Sequence, residues 1–463
     1  MMCWLFCSLC AAVATAEPED VGTREVKLPD DCGVAVRPEK LSVTARQLLA
    51  PKAGIQWGGQ TGGESTLDED EGFVAVFVPE SGLSADEFSY VATHPRLIGI
   101  EFIQCDVNRY DFSNIGRSRA LKLLKMWEPQ CKDNSKWRKL AGASIDALSM
   151  SNCEFLEDST LEAWSSIRGL EVLSMFQGWA QVIGAREDRP AGIAAMELSA
   201  LPKFGSLTDI AIKARSLTKT AYSNVWRCKS LAALSLEIAL ANDANLEGVA
   251  ALSALTSLTI NGTAASGSFL AVVRSHACLE RLELIRNAAL DGSTLSVLGT
   301  LPNLETVHVR SSPGMTGEQL SFLAKCPKLR HLVLSKCEKL TSAGLKWLLD
   351  IKELRTLVLD ENNQLTARVL ELAGYNKQLK YLSLSGCEWV MNKQLEDISE
   401  FFSELEFLNV VDTKCTGVGL STLAGLKGLQ QLWVDSHAVS KDDIAKFSKA
   451  IEPRDVVIVR VDR

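Results

Sequence analysis

Histidine is scarce in this chain. There are five in 463 residues: His94, His276, His308, His331 and His437. None falls in a His-Glu-x-x-His frame, which removes the commonest helical zinc-hydrolase signature. Gly-x-Ser-x-Gly is absent, as is a Walker-type glycine loop, so neither a nucleophile elbow nor a phosphate cradle is written in the chain. The glycine-rich stretch Gly58 to Gly63 is followed by acids rather than by a helix signal, and reads as a linker. No dense basic tract occurs, and the net charge is −8. Phosphate binding needs clustered Lys and Arg, so no nucleic acid is expected as a partner. Beyond the first residues no apolar run approaches 18, so no membrane span is expected in the mature chain.

What is present is a period. The clearest units read Leu329-x-x-Leu332-x-Leu334-x-x-Cys337, Leu354-x-x-Leu357-x-Leu359-x-x-Asn362 and Leu379-x-x-Leu382-x-Leu384-x-x-Cys387. The first apolar positions fall at Phe73, Leu97, Leu121, Ile145, Leu170, Leu207, Leu231, Leu255, Leu279, Leu304, Leu329, Leu354, Leu379, Leu405 and Leu429, which makes 15 units spaced by 24–26 residues with one exception. That exception is the step of 37 from Leu170 to Leu207, which places an insertion near 178–197. Each unit is one strand plus a return, too small to bury its own apolar face, so only stacking builds a core. The length prior for a 463-residue chain would be about three domains, and the repeat overrides it.

Positions 4 and 6 alternate as a strand with one buried face does. Position 9 is small or polar: Cys105, Cys153, Thr263, Asn287, Ser312, Cys337, Asn362, Cys387, Thr413. There the chain leaves the sheet, and a buried donor can satisfy the turn's free carbonyls. A second apolar set follows at helical spacing, as in Leu340, Leu345 and Leu348, and predicts a helix of one to three turns. Thr341 and Ser342 are candidate caps for one such helix and Thr316 for another.

These residues carry a resemblance. The chain resembles the leucine-rich repeat family and, within it, the cysteine-containing, ribonuclease-inhibitor-like branch, whose pattern Cys326-Pro327-Lys328-Leu329 through Cys337 follows closely. Leu340-Thr341-Ser342-Ala343-Gly344-Leu345 is similar to wording common in bacterial repeat proteins. Position 9 departs from the pattern at Pro129, Gly178, Arg215 and Ala239. The resemblance implies an α/β solenoid over 73–452, a curved horseshoe with parallel strands on the concave face and short helices on the convex face.

The ends differ from the middle. Cys3 to Ala14 is almost wholly apolar, and Ala14-Thr15-Ala16 precedes Glu17. Residues 1–16 therefore resemble a secretory signal with a small-x-small cleavage site, although no Lys or Arg precedes the apolar run. An uncleaved anchor and a cytosolic chain with a misplaced start are the alternatives. Residues 17–72, proline- and glycine-containing and ending in Asp68-Glu69-Asp70-Glu71, read as a partly disordered tether or cap. Residues 453–463 read as a closing strand. Most of the 13 cysteines sit at repeat positions that face the core or lie in the leader, so mostly free thiols are expected.

Strand phase assigns a ligand face. In the C-terminal half, Arg281, Glu283, Arg286, His308, Arg310, His331 and Lys336 form a mostly basic band. Asp360 and Glu361 are an acidic step, and Tyr381, Phe407, Trp433 and Asp435 follow. Trp127 and Phe176 face the same way. Exposed aromatics beside charges are typical interface anchors. The expectation is a non-enzymatic, monomeric binding protein with no cofactor and no metal. It would be exported to the cell envelope, periplasm or exterior and would hold a protein or other polymer on its concave face. The alternative is a cytoplasmic substrate receptor of the F-box ubiquitin-ligase kind, although 17–72 lacks the helical Leu-Pro pattern of that box. An enzyme built on 17–72 or on the 178–197 loop would have too little chain for a site.

Overall fold

The computed structural model describes residues 35–39, 72–77, 84–95, 97–153, 156–177, 192–454 and 456–461. The leader, most of 17–72 and the insertion as far as residue 191 lie outside the described residues. Two compact units divide the chain, Met1–Ile238 and Ala239–Arg463.

In the first unit, β1 (Ala35–Glu39) runs antiparallel to β2 (Gly72–Phe77). Parallel neighbours follow in chain order: β3 (Leu97–Ile103), β4 (Leu123–Trp127), β5 (Ala147–Ser151), β6 (Val172–Phe176), β7 (Asp209–Ala214) and β8 (Ala233–Ile238). In the second unit the parallel strands are β9 (Ser257–Asn261), β10 (Arg281–Ile285), β11 (Thr306–Arg310), β12 (His331–Ser335), β13 (Thr356–Val358), β14 (Tyr381–Ser383), β15 (Phe407–Asn409), β16 (Gln431–Asp435) and β17 (Val457–Val461). No described helix is long and apolar enough to cross a membrane.

The register follows the sequence period. Leu332, Leu357, Leu382, Leu408, Leu432 and Ile458 are direct partners in turn. With Leu329, Leu334, Leu354 and Leu359 they form the wall against which the returns pack, and these leucines are buried. Each contributes about 1.5–3 kcal/mol relative to exposure.

The returns are short helices, as expected, and they are of two kinds. Gly292–Thr300, Glu318–Lys325 and Ala343–Asp350 are 3-10 helices, whereas Arg368–Ala373 and Asn392–Phe401 are α-helical. Of the candidate caps, Thr341 Oγ1 accepts from Gly344 N (3.3 Å), while the other two behave differently. Ser342 stands at the N-cap of its helix without a side-chain cap bond. Its Oγ accepts instead from Thr366 N of the next unit (2.9 Å). Gly317, not Thr316, is the cap of the preceding helix.

Position 9 behaves as its chemistry requires. Asn287 Oδ1 accepts from Thr263 N and Oγ1, and its Nδ2 donates to Ile260 O. Asn362 repeats the arrangement on Cys337, Leu334 and Leu359. Cys337 Sγ and Cys387 Sγ reach carbonyls in the same manner. Burial pushes the Cys337 thiol up to about 11 and the Cys387 thiol to about 12, so both remain protonated. The nine described cysteines are free.

Position 8 was not legible in the sequence. It takes the left-handed conformation in Gln104, Glu128, Asn152, Gly262, Arg286, Ser311, Lys336, Glu361, Gly386 and Asp412, with φ between 49° and 70°. Such a backbone costs a residue with a Cβ about 1–2 kcal/mol. At Gly386 an added Cβ would also stand 2.9 Å from Glu361 Cγ. Gly386→Ala is expected to lower stability by about 1–2 kcal/mol in urea titration. An unchanged midpoint would show that the turn relaxes.

Candidate functional site

Strand alternation sends the leucines into the core, so the residues between them face the opposite side of the sheet. In the second unit they form three rows. The first contains Arg281, Thr306, His331, Thr356, Tyr381, Phe407 and Gln431. The middle row contains Glu283, His308, Val333, Val358, Ser383, Asn409 and Trp433. Arg310 and Ser335 are partners in the third, and Asp435 ends β16 on the same face. All ten candidates named from phase (Arg281, Glu283, His308, Arg310, His331, Asp360, Tyr381, Phe407, Trp433 and Asp435) thus lie on one face.

Their depth differs from expectation. Phe407 and Trp433 are 6% and 8% exposed, not open anchors. Neighbouring strands lie about 4.8 Å apart, so large rings in one row cover each other. Tyr381 and Phe407 stack with centroids 4.0 Å apart and planes 4° from parallel, and Trp433 meets Phe407 edge-on at 5.6 Å. Tyr381 remains half-buried.

The histidines are not plain surface residues either. His308 is buried, and burial lowers its pKa against the pull of Glu283. His331 Nδ1 lies 2.9 Å from Thr356 Oγ1, and burial with nearby Arg281, Arg330 and Arg355 lowers its pKa to about 4. Among the described residues no group of three His, Cys, Asp or Glu side chains is placed to hold a metal ion. Glu283 is buried beside Thr259 Oγ1 (3.3 Å) and Arg281 Nη1 (3.2 Å), both of which donate to it. In the middle row His308 Nε2 and Trp433 Nε1 have no hydrogen-bond partner.

Sequence reading missed the partners of Asp360. Ser383 Oγ donates to its carboxylate at 2.6 Å and Ser385 N at 2.8 Å. Their signal was available, since both lie one repeat further on. Burial nevertheless pushes Asp360 up to about 6, with these bonds and Arg310 pulling the other way. The native protein therefore binds more protons here than the unfolded chain between pH 3.8 and 6. Stability from this group falls as pH rises through that window. His331 acts oppositely, favouring the fold less as pH falls from 6.5 toward 4. Asp360→Asn isolates the first effect. Relative to the parent, the variant should gain about 2 kcal/mol between pH 4 and pH 7.5 in urea titrations, allowing for partial exposure. A pH-independent difference would exclude a raised carboxyl pKa.

Parallel strands in one-residue register, each returned by a short helix behind a leucine wall, define an α/β solenoid of leucine-rich repeats. No family model matches the sequence, and no curated protein matches it. Among solved structures the chain is similar to a leucine-rich repeat protein from Leptospira interrogans (15% identity, 82% of this chain and 87% of that one, TM-score 0.46). It is also similar to an internalin from Listeria monocytogenes (13% identity, 84% and 87%, TM-score 0.37). A plant peptide hormone receptor in complex with RGF2 matches at 12% identity, 73% and 68% coverage and a TM-score of 0.36.

Proposed function

We propose that the chain is a non-catalytic binding scaffold that captures a protein partner on the strand face of its second unit. The observation that carries this reading is the collection of charged and aromatic residues on one face, with a basic end at Arg281 and Arg310 and an aromatic end at Tyr381. Charge at one end fixes orientation and the aromatic end supplies contact area. The protein works as a monomer and is exported after cleavage behind Ala16. Its position-9 cysteines are the feature that favours the ribonuclease-inhibitor-like branch of the repeats.

Affinity capture with the wild-type chain identifies the partner. A combined Arg310→Ala and Tyr381→Ala variant should lose that partner about 100-fold while staying folded, its stability lowered by about 1 kcal/mol for the lost ring pair. Retained capture would move the site elsewhere. Mature chain beginning at Glu17 in an exported fraction supports export, and co-purification with a ubiquitin-ligase scaffold would replace this reading with the adaptor.

A further inference from the structure

The first unit presents a different surface. Trp127 closes β4 on the strand face and is 53% exposed. Register puts Ile103 on one side of it, and Ser151 and then Phe176 on the other. With strands about 4.8 Å apart, Trp127 and Phe176 stand about 10 Å from each other across the small Ser151.

Immediately beyond this row, the left-handed turn residues Gln104, Glu128 and Asn152 are tied together. Gln104 Nε2 donates to Glu128 Oε2 and Asn152 Nδ2 to Oε1, each at 2.8 Å. These two amides, and the Trp127 indole, hold the Glu128 carboxyl below its ordinary range. The row beside the exposed ring is thereby tied across three repeats.

Charge narrows the ligand. On the neighbouring row Lys125 lies 3.9 Å from Glu101, while Glu128 stays ionised and is held by neutral amide donors. The equivalent turn positions of the second unit carry Arg286, Lys336 and Glu361. The Glu128 carboxylate repels a polyanion, and a single charge offers a polycation little. Backbone pairing is closed as well. An extended peptide adds to a sheet at its edge, and β4 is already paired on both sides.

The geometry points to a neutral oligosaccharide as the ligand of this face, one pyranose ring stacked on Trp127 with its hydroxyls against the Gln104–Glu128–Asn152 row. A sugar ring has a flat C–H face and a rim of hydroxyls that both donate and accept. Trp127 offers the matching flat apolar surface, and the row beside it offers amide donors together with amide and carboxylate acceptors. Further rings of a linear chain lie along the row toward Phe176. This site is separate from the capture face of the second unit.

The test titrates the full chain with neutral hexasaccharides (cellohexaose, xylohexaose and mannohexaose) by calorimetry, with hexagalacturonate as the anionic comparator. An array of neutral peptides carrying single Trp or Phe guests runs in parallel. At least one neutral sugar should bind and hexagalacturonate should bind more weakly. Trp127→Ala should weaken the sugar about tenfold or more, and Trp127→Phe about threefold or less. Tyr381→Ala, in the other unit, should leave sugar binding unchanged, so failure here and failure of the capture face are read separately. Unaltered melting confirms that Trp127→Ala folds. The proposal is overturned if no neutral hexasaccharide binds, or if Trp127→Ala binds as well as the parent. Trp127-dependent retention of peptides in place of sugars would assign the face to a polypeptide.

Discussion

Asn362→Leu should lower the unfolding free energy by about 4 kcal/mol, read as a shifted midpoint in urea or heat. The substitution keeps the branched shape and heavy-atom count, and the bulkier methyls add some overpacking to the loss. What it removes is three hydrogen bonds in a buried turn. Asn362 Oδ1 accepts from Cys337 N at 2.9 Å, and Nδ2 donates to Leu334 O at 2.6 Å and Leu359 O at 2.9 Å. The side chain is 1% exposed, so water cannot replace it. Three buried backbone groups would each lose a partner at about 1–3 kcal/mol, with some relief from relaxation. Asn363 is the control next door. It is exposed and accepts only from Glu388 N at 2.9 Å, so Asn363→Leu should cost about 1 kcal/mol. Equal losses at the two positions would refute the view that position 9 ties one repeat to the next. A loss at Asn362 no larger than that of a surface substitution would do the same.

Much of this architecture could be read in advance because its cause is local and repeated. Leu329, Leu332 and Leu334 recur at fixed spacing, and the same spacing gives the register that pairs Leu332 with Leu357 and Leu382. The role of Asn362 was readable for a similar reason, since a small polar residue where a strand ends must answer the turn's own carbonyls. Three features were not readable. The left-handed backbone at Arg286, Lys336 and Glu361 is imposed by the turn on residues with no preference for it. The choice of 3-10 over α in the returns is not encoded in the leucine pattern. Depth on the open face was also hidden. Alternation assigns Phe407 and Trp433 a side, but their burial depends on rings one repeat away in sequence and one strand away in space.

That last point carries a second large effect. Phe407→Ala should cost about 3 kcal/mol, near the lower end for truncating a buried phenylalanine. Phe407 is 6% exposed although it lies on the face opposite the leucine wall. Its ring is parallel to Tyr381 at 4.0 Å and meets Trp433 at 5.6 Å and 60°. Truncation leaves a gap between two large side chains on strands held apart by their backbone bonds, so neither can move in to fill it. Phe407→Leu keeps most of the volume and should cost about 1 kcal/mol. The stacking itself is separable. A cycle of Phe407→Leu and Tyr381→Leu should show a coupling of about 1 kcal/mol, the range of aromatic pairs beyond their area. The same energetics decide which residues can report on ligand capture. Phe407 and Trp433 hold the face together, so their loss would weaken capture through the fold. Half-buried Tyr381 and Arg310 can be removed while the sheet stands. A Phe407→Ala protein as stable as the parent would show the row to be open and the rings to be free for a partner.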